Sequence, residues 1–415
     1  MKNEKVKNSE VKTADCCATP DLISVDQAIE KMLSQAEPVT KTESVDILDA
    51  LNRVLAEDLL STINVPGYDN SAMDGYAVYS DDCQTTGAKL PVTQRIPAGQ
   101  VGKVLKKGTA ARIFTGAPIP EGADAVVMQE MCESDDNDVV INTVVKANSN
   151  VRRAGEDIAE GHIVLNAGKQ LRAQELGLLA SVGLAQFTVI TKLKVATFFT
   201  GDEIVAPGQA LKPGQIYNSN RYTLRGLLQS MDCEIIDFGI VPDTLEATME
   251  VLKKSASGAN LVITSGGVSV GEEDYVRIAL EKLGALSMWR IAMKPGKPVA
   301  FGKVDNALFM GLPGNPVSVF VTFLLFARPL ILKLQGIDNH LTKFTSVIAD
   351  FDWTSGSRQE YLRVRLHQES GKTVAQLFPH QGSGVLSSAS WADGLVEVAI
   401  GIEIKKGDTV RYLAF

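Results

Sequence analysis

The sequence predicts a multidomain α/β protein with a central doubly wound, mostly parallel sheet. Across residues 193–340, apolar runs of strand length alternate with segments of helical periodicity, which is typical of βαβ units with right-handed crossovers. Residues 64–150 are rich in Gly and Pro and hold short β-type runs. Residues 342–415 hold five further short runs, which favour a small C-terminal β-barrel or a sandwich.

The elements follow in order along the chain. Residues 1–21 are polar and predict a disordered tail, and residues 22–60 have helix-type apolar spacing. A further helix is predicted at 173–182, and the acidic run 133–138 is predicted as a solvated hairpin tip rather than a metal site. The predicted strands are 125–128, 139–144, 194–199, 234–238, 261–263, 345–351, 361–366, 374–378, 395–400 and 409–413, and the helices of the α/β region are 221–230 and 245–255.

Composition narrows the class of protein. The formal net charge is −8 and the pI is near 5.3, which argues against general nucleic-acid binding, because a phosphate backbone is bound by a basic surface. The five cysteines form no C-x-x-C pair, so a zinc site is not expected. No apolar run reaches the ~20 residues that span a bilayer, and the longest candidate, 317–327, is predicted as a buried helix. Without a targeting signal, the expected location is the cytoplasm.

The segment N-L-V-I-T-S-G-G-V-S-V-G-E-E-D-Y, residues 260–275, is the most informative part of the chain. A buried strand at 261–263 leads into Gly266 and Gly267, and a helix is expected from Glu272 onward. Glycines let backbone N–H groups approach a ligand, and a helix N-terminus adds positive potential, so this loop suits a phosphate. A tight structural turn explains the same residues equally simply. The segment is neither a Walker loop nor a G-x-G-x-x-G fingerprint.

Three neighbouring motifs support a ligand site. K-P-G-K-P at 294–298 carries two ammonium groups on a proline-fixed segment, which suits an anion. T-G-D-E at 200–203 and G-L-P-G-N-P at 311–316 each follow an apolar run, and the second opens a helix at Pro316. Together with the glycine loop, these two loops are expected to leave the carboxyl ends of strands of one sheet, the edge at which open α/β sheets bind ligands.

In this order, the motifs resemble those of the MoeA family of molybdopterin molybdenumtransferases, from about residue 22 to residue 415. Further matching segments are P-G-Y-D-N-S-A-M-D-G-Y-A at 66–77, F-T-G-A-P-I-P-E-G-A-D-A-V-V at 114–127, R-R-A-G-E-D-I at 152–158 and I-Y-N-S-N at 216–220. The resemblance implies a mixed first domain of residues 22–63 and 151–192, an inserted β-rich lobe at 64–150, an α/β molybdopterin-binding domain at 193–341 and a barrel domain at 342–415.

The resemblance also implies an activity and an assembly. The reaction takes adenylylated molybdopterin and molybdate and gives molybdenum cofactor and AMP, with Mg²⁺ as cofactor. The family pattern implies a homodimer whose active site lies between the α/β domain of one subunit and the lobe of the other. It further implies contacts with the molybdopterin adenylyltransferase and other proteins of cofactor biosynthesis. No nucleic-acid or membrane partner is expected.

Chemistry and motif position together predict the site residues, because holding a pyrophosphate and an oxyanion calls for cations, N–H donors and Mg²⁺. Glu203 and Asp274 are the predicted metal ligands, with helix capping as the alternative. The predicted catalytic residues are Asp74, Thr115, Asp157, Glu203, Asp243, Asp274 and Lys294. The predicted substrate-binding residues are Ser265, Gly266, Gly267, Arg290, Lys294, Lys297, Gly314, Asn315, Pro316, Arg363 and Ser383.

Structural roles stay open for several of these residues. Asp74 and Asp243 also fit ordinary turns, and Asp157 also fits an ion pair with Arg152 or Arg153. The two lysines of K-P-G-K-P also fit a solvated basic loop.

Two positions depart from the family pattern, and two other functions compete. Asn218 stands where Asp is common and removes a negative charge, whereas Arg290 stands where Lys is common and changes the donor geometry. The first competing function is a molybdopterin adenylyltransferase, which has a similar α/β domain but lacks the other domains. The second is a non-enzymatic scaffold, against which the set of acids and lysines argues. The residues do not separate molybdate from tungstate.

Overall fold

The computed structural model describes residues 22–135, 137–267, 275–338 and 340–415, and only the backbone at 284–289. The chain forms two compact units, one of residues 22–41 with 190–415 and one of Thr42–Val189. Residues 22–41 therefore pack with the α/β region, whereas the prediction placed them in the first domain. The reason is the apolar face of helix Val25–Leu33, whose Ala28 and Met32 are fully buried in the α/β core.

A seven-stranded sheet forms the centre of the α/β unit. The four strands 307–312, 261–265, 194–200 and 234–241 are parallel neighbours, whereas 298–304 is antiparallel to both strands beside it. Across the sheet the order is Leu22–Ile23, Gly284–Ile291, Pro298–Val304, Ala307–Leu312, Leu261–Ser265, Lys194–Thr200 and Glu234–Val241. The strands predicted at 194–199, 234–238 and 261–263 are thus confirmed, and each continues one to three residues further.

Helices cover both faces of this sheet, because successive residues of each buried strand point to opposite sides. Val195 and Phe199 belong to one core, whereas Ala196 and Phe198 belong to the other. The first core is covered by Val25–Leu33, Ser219–Ser230 and the helical segment 316–334, and the second by Leu245–Gly258 and Tyr275–Leu283.

The helical segment 316–334 consists of Pro316–Thr322, a π-helical turn at Phe323–Ala327, and Arg328–Leu334. Among the described residues it is the one helix long and apolar enough to cross a membrane, but 78% of its most apolar window is buried inside the protein. The predicted buried helix at 317–327 is confirmed, and it is longer than expected because it continues through the π-helical turn.

The C-terminal region is a closed five-stranded barrel within the same unit. Its strand order is Gln359–Glu369, Lys372–Leu377, Thr345–Ala349, Thr409–Ala414 and Gly394–Val398, and the last strand pairs back to the first. The short strand Met293–Lys294 pairs parallel to the first barrel strand, with Lys294 opposite Glu360. The K-P-G-K-P segment is therefore fixed to the barrel.

The second unit, Thr42–Val189, contains a six-stranded sheet. Its order is Ala125–Met128, Gly75–Val78, Ala110–Ile113, Ala88–Ile96, Asp138–Ile141 and Cys132–Ser134. The last two strands form an antiparallel hairpin, which confirms the hairpin predicted for the acidic run. Helix Ala173–Ser181 begins as predicted.

The helix-type spacing predicted to continue to residue 60 is wrong beyond Leu33. Residues 42–46 form a strand, and only a short 3₁₀ turn follows at Ile47–Asp49. Four apolar residues, Leu48, Leu51, Val54 and Leu55, suggested a helical face here. Leu48 and Leu51 are exposed, at 89% and 51%, whereas Val54 and Leu55 are buried without forming a helix.

Candidate functional site

Three loops meet at the carboxyl edge of the parallel strands. A Cβ atom placed on Gly267 would lie 3.5 Å from Thr200 Oγ1, and one placed on Gly314 would lie 3.7 Å from Gly266 Cα. The T-G-D-E loop, the glycine loop and the G-L-P-G-N-P loop are therefore neighbours, as the motif positions predicted.

A cavity of about 760 Å³ opens beside these loops, within the unit of residues 22–41 and 190–415. Three cations and one carboxylate line it together with backbone and small polar groups, so the cavity suits an anion. Its lining residues are Glu203, Ile216, Lys294, Pro295, Gly296, Lys297, Pro298, Pro313, Gly314, Asn315, Ser318, Arg358, Gln381, Gly382 and Ser383.

Lys294 is held at the cavity wall by a buried carboxylate. Its Nζ lies 3.3 Å from Oε1 of Glu360, whose side chain is only 5% exposed. The Glu360 carboxylate also accepts hydrogen bonds from Trp353 Nε1 at 3.1 Å and from the Gly356 N–H at 3.4 Å. Because those bonds fix the carboxylate, Glu360 orients the Lys294 ammonium group.

The turn between the two lysines requires glycine. Gly296 has φ +108°, and a Cβ there would lie 2.5 Å from Thr322 Cγ2 on the neighbouring helix. Lys294 and Lys297, on either side of this glycine in the chain, both line the cavity.

The predicted metal ligands are only partly described. Glu203 is exposed and lines the cavity, and its carboxylate folds back over Gly201, where a Cβ would lie 2.4 Å from Oε2. Asp274 lies outside the described residues. Asp243 is half-buried in the turn after strand Glu234–Val241 and is not among the residues that line the cavity. The neighbouring Thr244 caps helix 245–258 by accepting the Ala247 N–H at 3.3 Å.

The glycine loop was predicted to offer a row of free N–H groups to a ligand, and the structure corrects this prediction. The Gly266 N–H donates to the Leu312 carbonyl at 3.1 Å, so it is not available to a ligand. The Ser265 hydroxyl accepts a hydrogen bond from Asn220 Nδ2 at 3.2 Å, and among the described residues none accepts its own proton. The positive φ values of Gly266 and Gly267 serve the turn itself.

Arg363 does not line the cavity, which corrects its predicted direct contact with an oxyanion. It is 1% exposed, and burial lowers the pKa of its guanidinium to about 10. Its donors bind Ser388 Oγ at 3.0 Å and the carbonyls of His380 at 3.4 Å and Gly382 at 3.1 Å. Arg363 therefore lies beneath the H-Q-G-S loop, residues 380–383, and supports it, while Ser383 of that loop lines the cavity.

In the second unit, Asp74 and Thr115 form one hydrogen-bonded pair. Asp74 Oδ1 accepts from the Thr115 N–H and from Thr115 Oγ1, both at 2.8 Å. These bonds, the backbone one first, lower the pKa of the Asp74 carboxyl below its usual 3.8. Asp74 is half-buried and Thr115 is exposed, so a ligand could reach the pair, and its catalytic role stays a prediction.

Two other predicted residues have different surroundings from those expected. Arg153 forms its ion pair with Asp69 rather than with Asp157, which is exposed. No described residue forms an ion pair with Asp157, so the alternative explanation of Asp157 as an ion-pair residue is wrong. Arg290 is half-buried in the strand Gly284–Ile291, opposite Pro298, and is not a lining residue of the cavity.

Sequence reasoning missed four residues of the site. Arg358 and Gln381 line the cavity, Glu360 orients Lys294, and Asn220 donates to Ser265. Asn220 lies inside the quoted I-Y-N-S-N motif and Gln381 lies in H-Q-G-S with the predicted Ser383, which were the signals available. Arg358 and Glu360 stand in a segment without a recognisable motif.

Comparison with known proteins covers both units. Family models match residues 23–183 as the MoeA N-terminal region (domain I and II), 196–333 as a probable molybdopterin binding domain, and 346–415 as the MoeA C-terminal region (domain IV). A molybdopterin molybdenumtransferase of Haemophilus influenzae is 47% identical over 316 residues, which are 76% of this chain and 78% of that protein. One of Nostoc sp. is 39% identical over 363 residues, covering 85% and 83%.

A solved structure shares the fold. The molybdopterin biosynthesis moeA protein from Pyrococcus horikoshii OT3 superposes with a TM-score of 0.82 at 28% identity, covering 95% of this chain and all of that one. Sequence, domain matches and fold therefore agree, and the chain belongs to the MoeA family of molybdopterin molybdenumtransferases.

Proposed function

We propose that this protein inserts molybdate into adenylylated molybdopterin and releases AMP and molybdenum cofactor. The observation that carries the proposal is the convergence of Lys294, Lys297 and Arg358 with the Ser383 loop in one cavity at the carboxyl edge of the sheet. A pyrophosphate and a tetrahedral oxyanion are both dianionic or more, and such a cluster of cations binds and orients them.

Mg²⁺ fits this cavity as a shared ion. Mg²⁺ keeps several waters and is typically held by one or two carboxylates together with substrate phosphates. Glu203 supplies one such carboxylate, and the described residues contain no group of three or more His, Cys, Asp or Glu side chains that would form a cage made of protein alone. Bound Mg²⁺ would polarise phosphoryl oxygens. We infer that Glu203 holds it, together with Asp274, which lies outside the described residues.

The protein's own residues have separate roles in the proposed reaction. Lys294 and Lys297 neutralise the charge of the substrate and of departing AMP, and the Ser383 hydroxyl donates to the oxyanion. Asp74 and Thr115 are proposed to act in the same reaction from the second unit. A homodimer and a cytoplasmic location are part of the same proposal.

The decisive experiment is AMP release from purified protein. With adenylylated molybdopterin and Mg²⁺, AMP should appear only when molybdate is added. If the protein instead adenylylates molybdopterin from Mg-ATP in the absence of molybdate, it is an adenylyltransferase and the proposal is wrong. If it does neither, while Asp74→Asn and Lys294→Ala chains still complement a deficient cell, the scaffold function is favoured.

A further inference from the structure

The side chain of Asn220 connects two of the three loops at the edge of the sheet. It stands in the first turn of helix Ser219–Ser230, and its Nδ2 donates to the Gly314 carbonyl at 2.7 Å and to Ser265 Oγ at 3.2 Å. A carbonyl oxygen only accepts hydrogen bonds, so the atom facing Gly314 must be the amide nitrogen. The orientation of the amide is thereby fixed.

The other end of the same amide has no partner. Asn220 Oδ1 is buried and accepts no hydrogen bond from any described residue. Buried polar atoms are almost always hydrogen-bonded, and an unpaired one costs about 1–3 kcal/mol. Asn220 does not itself line the cavity, but Gly314, to which its nitrogen donates, does, so a ligand in the cavity is a candidate for the missing donor.

The phosphate groups of the proposed substrate cannot be the missing donor. An ionised phosphate has no proton to give, and its oxygens repel an amide oxygen. The hydroxyl and amino groups of a nucleotide are suitable donors. The Ser265 hydroxyl, whose oxygen already accepts from Asn220, donates its proton to no described residue and can give it to an adjacent phosphate oxygen.

We propose that Asn220 is a positioning residue for the nucleotide part of the substrate. Its nitrogen holds the Ser265 and Gly314 loops together, and its oxygen accepts a hydrogen bond from a ribose hydroxyl or the amino group of adenine. This inference rests on the proposed function, because it takes the bound nucleotide from there.

The test uses Asn220→Ala with Asn306→Ala as the matched control. Asn306 is an exposed asparagine in the same unit, in the turn that precedes strand Ala307–Leu312. Hydrogen exchange of the ligand-free protein tests the bonds of the Asn220 nitrogen. The backbone amides of residues 265–267 and of Gly314 and Asn315 should exchange faster in Asn220→Ala and at an unchanged rate in the control. Equal exchange in both variants would overturn the connecting role.

Calorimetry tests whether Asn220 Oδ1 accepts a hydrogen bond from the nucleotide. The ligands compared are AMP, 2′-deoxy-AMP, 3′-deoxy-AMP and IMP. Asn220→Ala should weaken AMP binding roughly tenfold, the value of about one hydrogen bond, and raise KM with little change in kcat. One analogue should bind the unaltered protein as weakly as AMP binds the variant, and should lose nothing further in the variant.

The outcomes separate this inference from the proposed function. The acceptor role would be overturned if Asn220→Ala weakened the binding of every analogue as much as it weakened the binding of AMP. A protein that does not bind AMP would also overturn it. If one analogue lost no further affinity in Asn220→Ala, Asn220 would remain a nucleotide-positioning residue. If the same protein showed no molybdate-dependent AMP release, the proposed reaction would be overturned instead.

Discussion

At the scale of single residues, the cavity depends on charges that buried groups hold in place. Lys294 is 44% exposed, but its partner Glu360 is fixed by two further hydrogen bonds, so the ammonium group has a defined position without being fully desolvated. An oriented, partly solvated cation is able to meet a substrate anion without a large rearrangement.

Replacing Lys294 tests this arrangement. We expect Lys294→Ala to lower kcat/KM about 100-fold, because one cation oriented toward developing charge is lost. The free energy of unfolding should fall by about 1–3 kcal/mol, since the buried Glu360 carboxylate loses its cation but keeps its hydrogen bonds to Trp353 and Gly356. Steady-state AMP release and thermal unfolding measure the two effects. Lys303→Ala, an exposed lysine of strand Pro298–Val304, is the control; a collapse of stability in Lys294→Ala alone would make the residue structural.

The Asp74–Thr115 pair gives a prediction about pH. The pKa of Asp74 is lowered in the folded protein, so its bonds to Thr115 stabilise the fold above about pH 3.8 and are lost as the pH falls through the folded pKa. In Thr115→Val the hydroxyl donor is removed, and the pKa of Asp74 should rise toward 3.8. An NMR titration of the Asp74 carboxyl measures it, with Thr109→Val as the control. An unchanged pKa would assign the shift to the backbone N–H alone.

The sequence predicted the charged groups of the cavity better than the groups that support them. Lys294, Lys297, Glu203 and Ser383 line it as predicted, because charge beside glycine and proline is visible in the chain itself. The burial of Arg363 was not predictable, because it depends on a barrel strand and a loop that meet only in the folded protein.

At the scale of elements, strands in the α/β unit were predictable within a few residues because each is a buried apolar run that ends at a polar loop. The loops are different, since their form depends on close approaches across the fold. The K-P-G-K-P segment carries such a contact at Gly296, whereas Gly314 of the G-L-P-G-N-P segment does not.

Two of those glycines make opposite predictions. Gly296→Ala should destabilise the protein and displace Lys294 and Lys297, because the new Cβ would meet Thr322 at 2.5 Å in a left-handed backbone conformation. Gly314→Ala should fold normally, because its nearest neighbour would lie at an ordinary 3.7 Å. Thermal unfolding of both variants compares them directly. Equal stability would show that the loop at Gly296 adapts.

The barrel loop that carries Ser383 makes a third prediction for an element. Arg363→Met keeps an unbranched apolar stem but removes the donors to the His380 and Gly382 carbonyls, so we expect a loss of about 2–4 kcal/mol in unfolding free energy. Arg365→Met, at an exposed arginine of the same strand, should cost only about 1 kcal/mol, because it loses one exposed hydrogen bond to the Trp391 carbonyl and a contact with the Trp391 ring. Denaturant unfolding measures both. A small effect at Arg363 would mean that the H-Q-G-S loop is held by its other contacts.

At the scale of the whole molecule, the chain enters the α/β unit, leaves it at Lys41 and returns at Ile190. Periodicity showed that helix Val25–Leu33 is amphipathic, but periodicity cannot say which core an apolar face covers. The assignment of residues 22–41 therefore needed three-dimensional contacts: Leu22 and Ile23 pair with Arg290 and Ile291, and Val39 donates to the Leu334 carbonyl.

This division of the chain predicts that a protein beginning at Thr42 is strongly destabilised compared with one beginning at Leu22. The shorter chain lacks Val25, Ala28, Met32 and Leu33, which are buried in the first α/β core, and it uncovers the apolar side chains against which they pack. Its loss of unfolding free energy should exceed that of Met32→Ala in the longer chain, for which about 2–5 kcal/mol is expected. Thermal unfolding followed by the fluorescence of Trp353 and Trp391, which lie in this unit, measures the difference. Equal melting temperatures in the two chains would show that residues 22–41 belong to the first domain, as the sequence predicted, and not to the α/β unit.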